Sequence, residues 1–480
     1  MNMLAALPRR PLARLLMAGA LLASAACAAT PAPPAVTAPE ISGVRLGVYV
    51  AALDGKPVFA DHAGDRFIPA SNTKIFTAAA AFHYIEGVDQ PDPALATRLL
   101  LVPGDAAAPP SLVLKGEGDA TVRDDDTCVI NCLRELADAV VAAGITRVAD
   151  VYGDDSAFPF EPFGMGWSWN NLPFYFGAPV SALTVNGNAA ALRIAPGATE
   201  GDSVDAAWLA GEDLLRVRNE AVTSAPGSEL ELSVLRWPGS DEVHLTGTLP
   251  AGTSPRNYFL SVPDAPLAAA ERLVRLLSAR GVEVVGAAKV RTRSDPEPTQ
   301  ELARLSPPPL LDSVVDVLED SDNLSAELLL RHVARATGGQ GADDGIDAVN
   351  AMLVQAGIDS SGVEIFDGSG LSPYNRITPL STVRFLSWTA VQPWGDSFRK
   401  ALPVGGQSGS LARRFRGTAL DGRIFAKTGT VQGVNALSGF LVAASGETLV
   451  FSVMANDRPV GADPVVPLID ALLLEIAAAN

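Results

Sequence analysis

The sequence predicts an α+β protein, and three observations carry that expectation. Apolar residues recur at helical spacing after Ser71 (Ile75, Phe76, Ala79, Phe82) and after Asn323 (Leu324, Leu328, Leu329, Val333). Strand-like runs at 436–442 and 448–454 are joined by a Ser445-Gly446 turn. Between these regions, residues 189–249 alternate in short runs such as Leu192-Arg193-Ile194 and 230–235, as an all-β segment does.

Length and composition frame these elements. The 480 residues suffice for two or three domains. With 48% apolar and 19% charged residues the chain is a folding sequence rather than a disordered one. A net charge of -18 provides no basic footprint for nucleic acid. The four histidines (His62, His83, His244, His332) are scattered without ligand spacing, which argues against a zinc site or a Ser-His-Asp triad. No metal and no cofactor is expected, and lysine remains as the natural catalytic base.

From the N-terminus, Arg9, Arg10 and Arg14 precede an apolar run at 15–26, too short to span a bilayer comfortably. Residues 1–27 read as an export signal. Cys27 follows Ser24-Ala25-Ala26, similar to a bacterial lipoprotein cleavage box except that Ser24 stands where leucine is usual. Cys27 is therefore either lipidated, giving membrane contact, or not. Residues 28–40, with Pro31, Pro33, Pro34 and Pro39, form a linker.

Farther along, 112–114 reads as a strand followed by a Gly116-Glu117-Gly118-Asp119 loop, 132–143 as a helix ending at Gly144, and 148–152 as one strand. Cys128 and Cys132 follow Asp124-Asp125-Asp126; they form a small disulfide if the segment is a turn, or stay buried thiols. The last stretch, 465–479, is apolar but contains Asp470 and Glu475, so it is expected to be a packed amphipathic helix rather than an anchor.

Three strings carry chemistry: Ser71-Asn72-Thr73-Lys74, Ser321-Asp322-Asn323 and Lys427-Thr428-Gly429. Pro69 places Ser71 at a helix N-terminus, where free N–H groups and a positive dipole end favour an oxyanion. Three residues on, Lys74 shares that helix face and brings an amine beside the Ser71 hydroxyl. Ser321-Asp322-Asn323 stands at the entrance of the second helix, and Lys427 follows a strand-like 423–426. Each string has a plainer reading: a capping serine with a solvated lysine, a helix N-cap at Asp322 or Asn323, an edge-strand lysine. One chain holding all three in this order favours the chemical reading.

The S-x-x-K, S-x-N and K-T-G series is that of penicillin-binding proteins and class A β-lactamases. With Pro69-Ala70-Ser71-Asn72-Thr73-Lys74, Ser321-Asp322-Asn323-Leu324, Asp367-Gly368-Ser369-Gly370-Leu371-Ser372 and 423–429, the chain closely resembles the class C low-molecular-mass penicillin-binding proteins. These are the penicillin-binding protein 4 type of D-alanyl-D-alanine carboxypeptidase/endopeptidase. Leu402-Pro403-Val404-Gly405-Gly406 fits that family's loop only loosely.

The resemblance implies a transpeptidase/β-lactamase-like domain, an antiparallel sheet flanked by helices, at 41–95 and 300–480. It implies an inserted domain at 96–188 and 256–299, itself carrying a β-rich insertion at 189–255. It implies an exported, periplasmic enzyme whose partners are peptidoglycan stem peptides and β-lactam antibiotics. Ser71 would be acylated and Lys74 would take its proton, for which the amine must be desolvated or set near another cation such as Lys427. Ser321 would relay a proton to the leaving nitrogen, and Asn323 would hold the substrate amide. Lys427 and Thr428 would meet the terminal carboxylate, Gly429 would let the substrate backbone approach, and the N–H groups of Ser71 and Thr430 would form the oxyanion hole.

Trp169, Asn171 and Phe176 would bind substrate in the inserted domain, unless that aromatic segment is core packing. The family often has an aspartate where Asn171 stands, pairing with the free ammonium of the stem peptide's diamino acid. Asn171 offers a hydrogen bond but no charge. The alternatives are a serine β-lactamase and a peptidoglycan-binding or penicillin-sensing module without catalysis.

Overall fold

A computed structural model describes residues 36–480 apart from 106–107, 126, 210–214 and 463. The expected export signal, Cys27 and Pro31, Pro33 and Pro34 lie outside the described residues.

A five-stranded antiparallel sheet underlies the catalytic motifs. Its order is Ile424–Val431, Val434–Val442, Thr448–Asn456, Arg45–Ala52 and Pro57–Asp61. The first strand of the described chain thus pairs with the last, Val48 opposite Val453. Helices Lys74–Tyr84, Leu310–Glu319, Asn323–Ala336, Ala342–Gln355 and Pro379–Ala390 share one apolar core with this sheet. That core includes Phe67, Ile75, Phe76, Phe385, Phe440 and Met454. The closing helix Val466–Ala479 buries Ile469, Leu472, Leu473 and Ile476, while Asp470 pairs with Arg414, the amphipathic packing expected. Among the described residues no helix is long and apolar enough to cross a membrane.

A second five-stranded sheet runs Ala288–Val290, Val151–Asp154, Ser111–Lys115, Arg98–Val102, Gln300–Arg304. Helices Leu133–Ala142 and Ala265–Ala279 pack on it through Leu136, Val140, Leu273 and Leu277. A third core, built on Leu192, Ile194, Val243, Leu245 and Leu260, joins a three-stranded and a four-stranded sheet between Ala189 and Ser261.

One strand boundary differs from expectation. Residues 148–152 do not form one strand: Arg147–Val148 pairs with Glu283–Val284, and Val151–Asp154 with Ala288–Val290. The break is at Asp150, whose carboxylate accepts from Ala287 N (3.0 Å) and Lys289 Nζ (2.8 Å) and so draws the second partner strand in. Cys128 and Cys132 are disulfide-bonded, Cα to Cα 5.8 Å. Cys132 occupies the N-cap of helix Leu133–Ala142, so the bridge closes a turn before the helix rather than straining within it.

Candidate active site

Ser71 sits in a short 3-10 turn, Ala70–Thr73, that feeds directly into helix Lys74–Tyr84. Ala70 is held at φ 48°, and Thr73 Oγ1 donates to its carbonyl at 3.0 Å, so the turn is fixed from within. Asn72 ties this turn to the third motif by donating from Nδ2 to Lys427 O at 3.0 Å.

Lys74 is fully buried. Its Nζ lies 3.1 Å from Ser71 Oγ, 2.6 Å from Asn323 Oδ1 and 2.6 Å from Ser369 O. Two of these partners are pure acceptors, whereas the serine hydroxyl can also donate. A neutral amine therefore gives its two N–H bonds to Asn323 and Ser369 and aims its lone pair at the Ser71 proton. Burial lowers Lys74 to about 8, opposed by the charges of Asp367, Asp322 and Glu327. Of the two causes expected, desolvation acts, and a neighbouring cation is not among the causes. The repulsion falls on Lys427 instead, which burial and then Lys74 hold well below the usual lysine range, Asp320 opposing.

The second motif divides its labour. Asp322 is the N-cap of helix Asn323–Ala336, accepting from Ser325 N at 2.6 Å. Ser321, at φ 63°, makes the turn into it. Asn323, expected to hold the substrate amide, is engaged at both ends: Oδ1 on Lys74 and Nδ2 donating to Phe176 O at 2.7 Å. It thereby fixes the Lys74 amine and links it to the Phe176 backbone.

In the third motif Lys427 is buried with Nζ 3.2 Å from Thr428 O, and Thr428 Oγ1 donates to Ser410 Oγ at 2.9 Å. Gly429 also lets the Ser71 turn come close: a Cβ there would lie 2.6 Å from Pro69 O.

These elements border a cleft of about 720 Å³ lined by Ser71, Ser321, Asn323, Asn171, Phe176 and Thr430 among others. Asn170 and Tyr175 add to the same wall. Trp169 does not: its indole stacks on Trp237 (5.2 Å, 9° between planes), turned from the cleft that its neighbours Ser168 and Asn170 face. In an irregular segment each residue's direction is set by its own turn, here Asn171 N donating to Ser168 O at 2.9 Å, so alternation does not predict it.

Beneath the cleft lie two carboxylates to which motif reading gave no role, Glu327 and Asp367. Glu327 Oε1 accepts from Gly368 N (3.0 Å) and Ser369 N (2.8 Å). Asp367 accepts from Gly370 N (2.9 Å), Ser372 N (2.6 Å), Asn375 Nδ2 (2.7 Å) and Trp167 Nε1 (2.9 Å). Burial and the Asp367 charge raise Glu327 to about 7, with Arg331 opposing. A carboxylate between Leu324 and Leu328 in an otherwise apolar stripe was the available signal for Glu327.

Residues 34–472 match the model of the D-Ala-D-Ala carboxypeptidase 3 (S13) family. The chain belongs to this family. It is 33% identical over 435 residues to the D-alanyl-D-alanine carboxypeptidase of Actinomadura sp. (strain R39), covering 87% of this chain and 79% of that one. It is 27% identical over 432 residues to the D-alanyl-D-alanine carboxypeptidase DacB of Haemophilus influenzae, covering 87% of each. The crystal structure of penicillin binding protein 4 from H. influenzae superposes with a TM-score of 0.78 at 24% identity, over 90% of this chain and 95% of that one, so the two share a fold. The resemblance drawn from the three motifs and the α+β class thus stand, and the protein is a serine-type D-Ala-D-Ala carboxypeptidase.

Proposed function

We infer that this family member is an exported serine DD-peptidase that cleaves D-alanyl-D-alanine-type bonds of peptidoglycan stem peptides, as carboxypeptidase, endopeptidase or both. The observation that carries the reading is the Lys74 amine, buried, lowered to about 8 and 3.1 Å from Ser71 Oγ. In this mechanism Ser71 Oγ gives its proton to Lys74 Nζ and bonds to the carbonyl carbon of the penultimate D-alanine. The oxyanion takes the N–H groups of Ser71 and Thr430, and losing one such donor typically costs about 10²- to 10³-fold in rate. As the C–N bond breaks, the proton passes through Ser321 to the departing nitrogen, leaving an ester on Ser71 that water hydrolyses. Lys427 and Thr428 meet the terminal carboxylate, whose charge would favour the protonated form of Lys427. Asn171 and Phe176, on the cleft wall, would contact the stem-peptide side chain.

The same serine would open a β-lactam ring and keep the resulting ester. We take the three separate cores as support for a catalytic domain at 41–95 and 300–480, an inserted domain at 96–188 and 256–299, and a nested insertion at 189–255. We place the enzyme in the periplasm, with Cys27 as a candidate site of lipidation. The test is incubation with defined muropeptides followed by mass analysis. Released D-alanine, cleaved cross-links or both are the expected products. Rapid multiple turnover of a chromogenic cephalosporin, with no muropeptide cleaved, would move the assignment to a β-lactamase.

A further inference from the structure

The Ser369 carbonyl that holds Lys74 belongs to a short stretch of backbone gripped from both sides. On one side Thr77 Oγ1 donates to Gly368 O at 2.7 Å and Lys74 Nζ to Ser369 O at 2.6 Å. On the other, a single carboxylate oxygen of Glu327 takes the N–H groups of Gly368 and Ser369. Glu327 is 2% exposed and stands one helical turn beyond Asn323, the other acceptor on Lys74. Helix Asn323–Ala336 therefore reaches the amine twice, directly through Asn323 and indirectly through Glu327 and Ser369.

We propose that Glu327 is a positioning residue for the Ser71–Lys74 pair. It fixes the Gly368–Ser369 backbone so that the Ser369 carbonyl aims the Lys74 amine at Ser71, and it places negative charge beside the ammonium formed when Lys74 takes the serine proton. The inference rests on Lys74 acting as the base.

The chemistry of the surroundings supports both parts. Without the carboxylate two buried N–H groups lose their acceptor, and the peptide is free to turn its carbonyl away. A misplacement on the order of 1 Å can cost about 10²-fold in rate. The charged groups facing this floor are Asp367 and Asp322 beside Lys74, Lys427 across from it, and Asp320 beside Lys427. Arg331 lies 3.5 Å from Glu327 and 3.5 Å from Glu161. Glu327, Asp367 and Asp322 all favour the protonated amine, so removing the Glu327 charge should lower the pH at which Lys74 titrates.

The test is the rate of acylation by a fluorescent penicillin, followed across pH in the full-length enzyme and in Glu327→Gln and Glu327→Ala. Gln keeps an oxygen for the two N–H groups but loses the charge, so about a tenfold slower plateau and an acid limb displaced to lower pH are expected. Ala loses both functions and should fall about 10²-fold, with Gln recovering part of the loss. Should either variant not fold, Glu327→Gln combined with Arg331→Met removes the buried charge pair together, and the same displaced limb is expected. Wild-type rates and an unmoved limb would overturn the proposal. Equal losses in Gln and Ala with an unmoved limb would also overturn it, since Glu327 would then act through packing alone. A wild-type enzyme that does not acylate would instead defeat the DD-peptidase reading itself.

Discussion

The floor of the cleft and the β-rich stretch between Ala189 and Ser261 treat charge in opposite ways. Under the cleft, Lys74, Lys427, Glu327, Arg331 and Asp367 are all buried, at 0% to 3% exposure. Between Ala189 and Ser261 the core is aliphatic, and pairs such as Arg216–Asp241 (2.9 Å) and Arg218–Glu220 stand in solvent. Arg236 is an exception: it donates to Ser261 O at 3.0 Å, and the Ser261 hydroxyl in turn donates to the carbonyl of Leu172, the residue after Asn171. Burying a charge costs several kcal/mol per ion unless partners surround it, whereas exposed pairs are worth little. The chain accepts that cost where an amine must be a base, and stabilises the β-rich stretch by apolar burial. Substitutions in the floor should therefore change chemistry, and those in the core of the β-rich stretch stability.

The largest effect expected is on the floor side. Ser71→Ala should abolish covalent labelling by a fluorescent penicillin while the thermal unfolding of the protein stays close to wild type. Labelling at the wild-type rate would show that the ester forms elsewhere. Its counterpart is Leu245→Ala, which hollows a core where Leu245 is fully buried. Such truncations cost about 2–5 kcal/mol. Denaturant unfolding should show that loss, and the folded fraction should still label normally. A changed acylation rate there would break the division between the two regions.

The pH dependence sharpens it. Lys74 acts as a base only when neutral, and it titrates at about 8. Below that pH the neutral fraction, and with it the acylation rate, should fall about tenfold per unit; above it the rate levels off. Stopped-flow acylation across pH reads this directly. A rate independent of pH between neutrality and the alkaline plateau would remove Lys74 from the role. Substitutions at Arg216, exposed in the β-rich stretch, should leave that profile in place.

What could be read from the sequence follows the same division between local and distant causes. Ser71 and Lys74 meet because three residues span a helix turn, and the strands bearing Lys427 and its neighbours announce themselves by composition. The α+β class and the family are legible for the same reason. Glu327 was not, because its two N–H partners come from 368–369, some forty residues away, and only folding brings them to it. The close approach of Gly429 to Pro69 O was not legible either, because the two lie far apart in the sequence. Trp169 was expected among the substrate-binding residues from the family resemblance; its stacking on Trp237 is a contact between distant parts of the sequence, which no motif shows.

The smallest effect lies where the two regions meet at the cleft wall. Asn171 and Asn170 both line the cleft, and we propose that Asn171 stands where the family resemblance leads one to expect an aspartate. An amide there offers a hydrogen bond to the stem peptide's free ammonium but no charge. Asn171→Asp should raise turnover of peptides carrying that free amine, and an exposed charge pair is worth about 0 to 1 kcal/mol, which makes the gain several-fold in kcat/KM. Added salt should shrink the gain, since screening weakens an exposed pair. An N-acetylated peptide lacks the charge and should show none. Asn170→Asp run in parallel assigns the position: a gain at 170 and not at 171 moves the ammonium site by one residue. Equal gains on free and acetylated peptides would mean that residue 171 acts through packing, and the wall would then belong, like the core of the β-rich stretch, to stability rather than recognition.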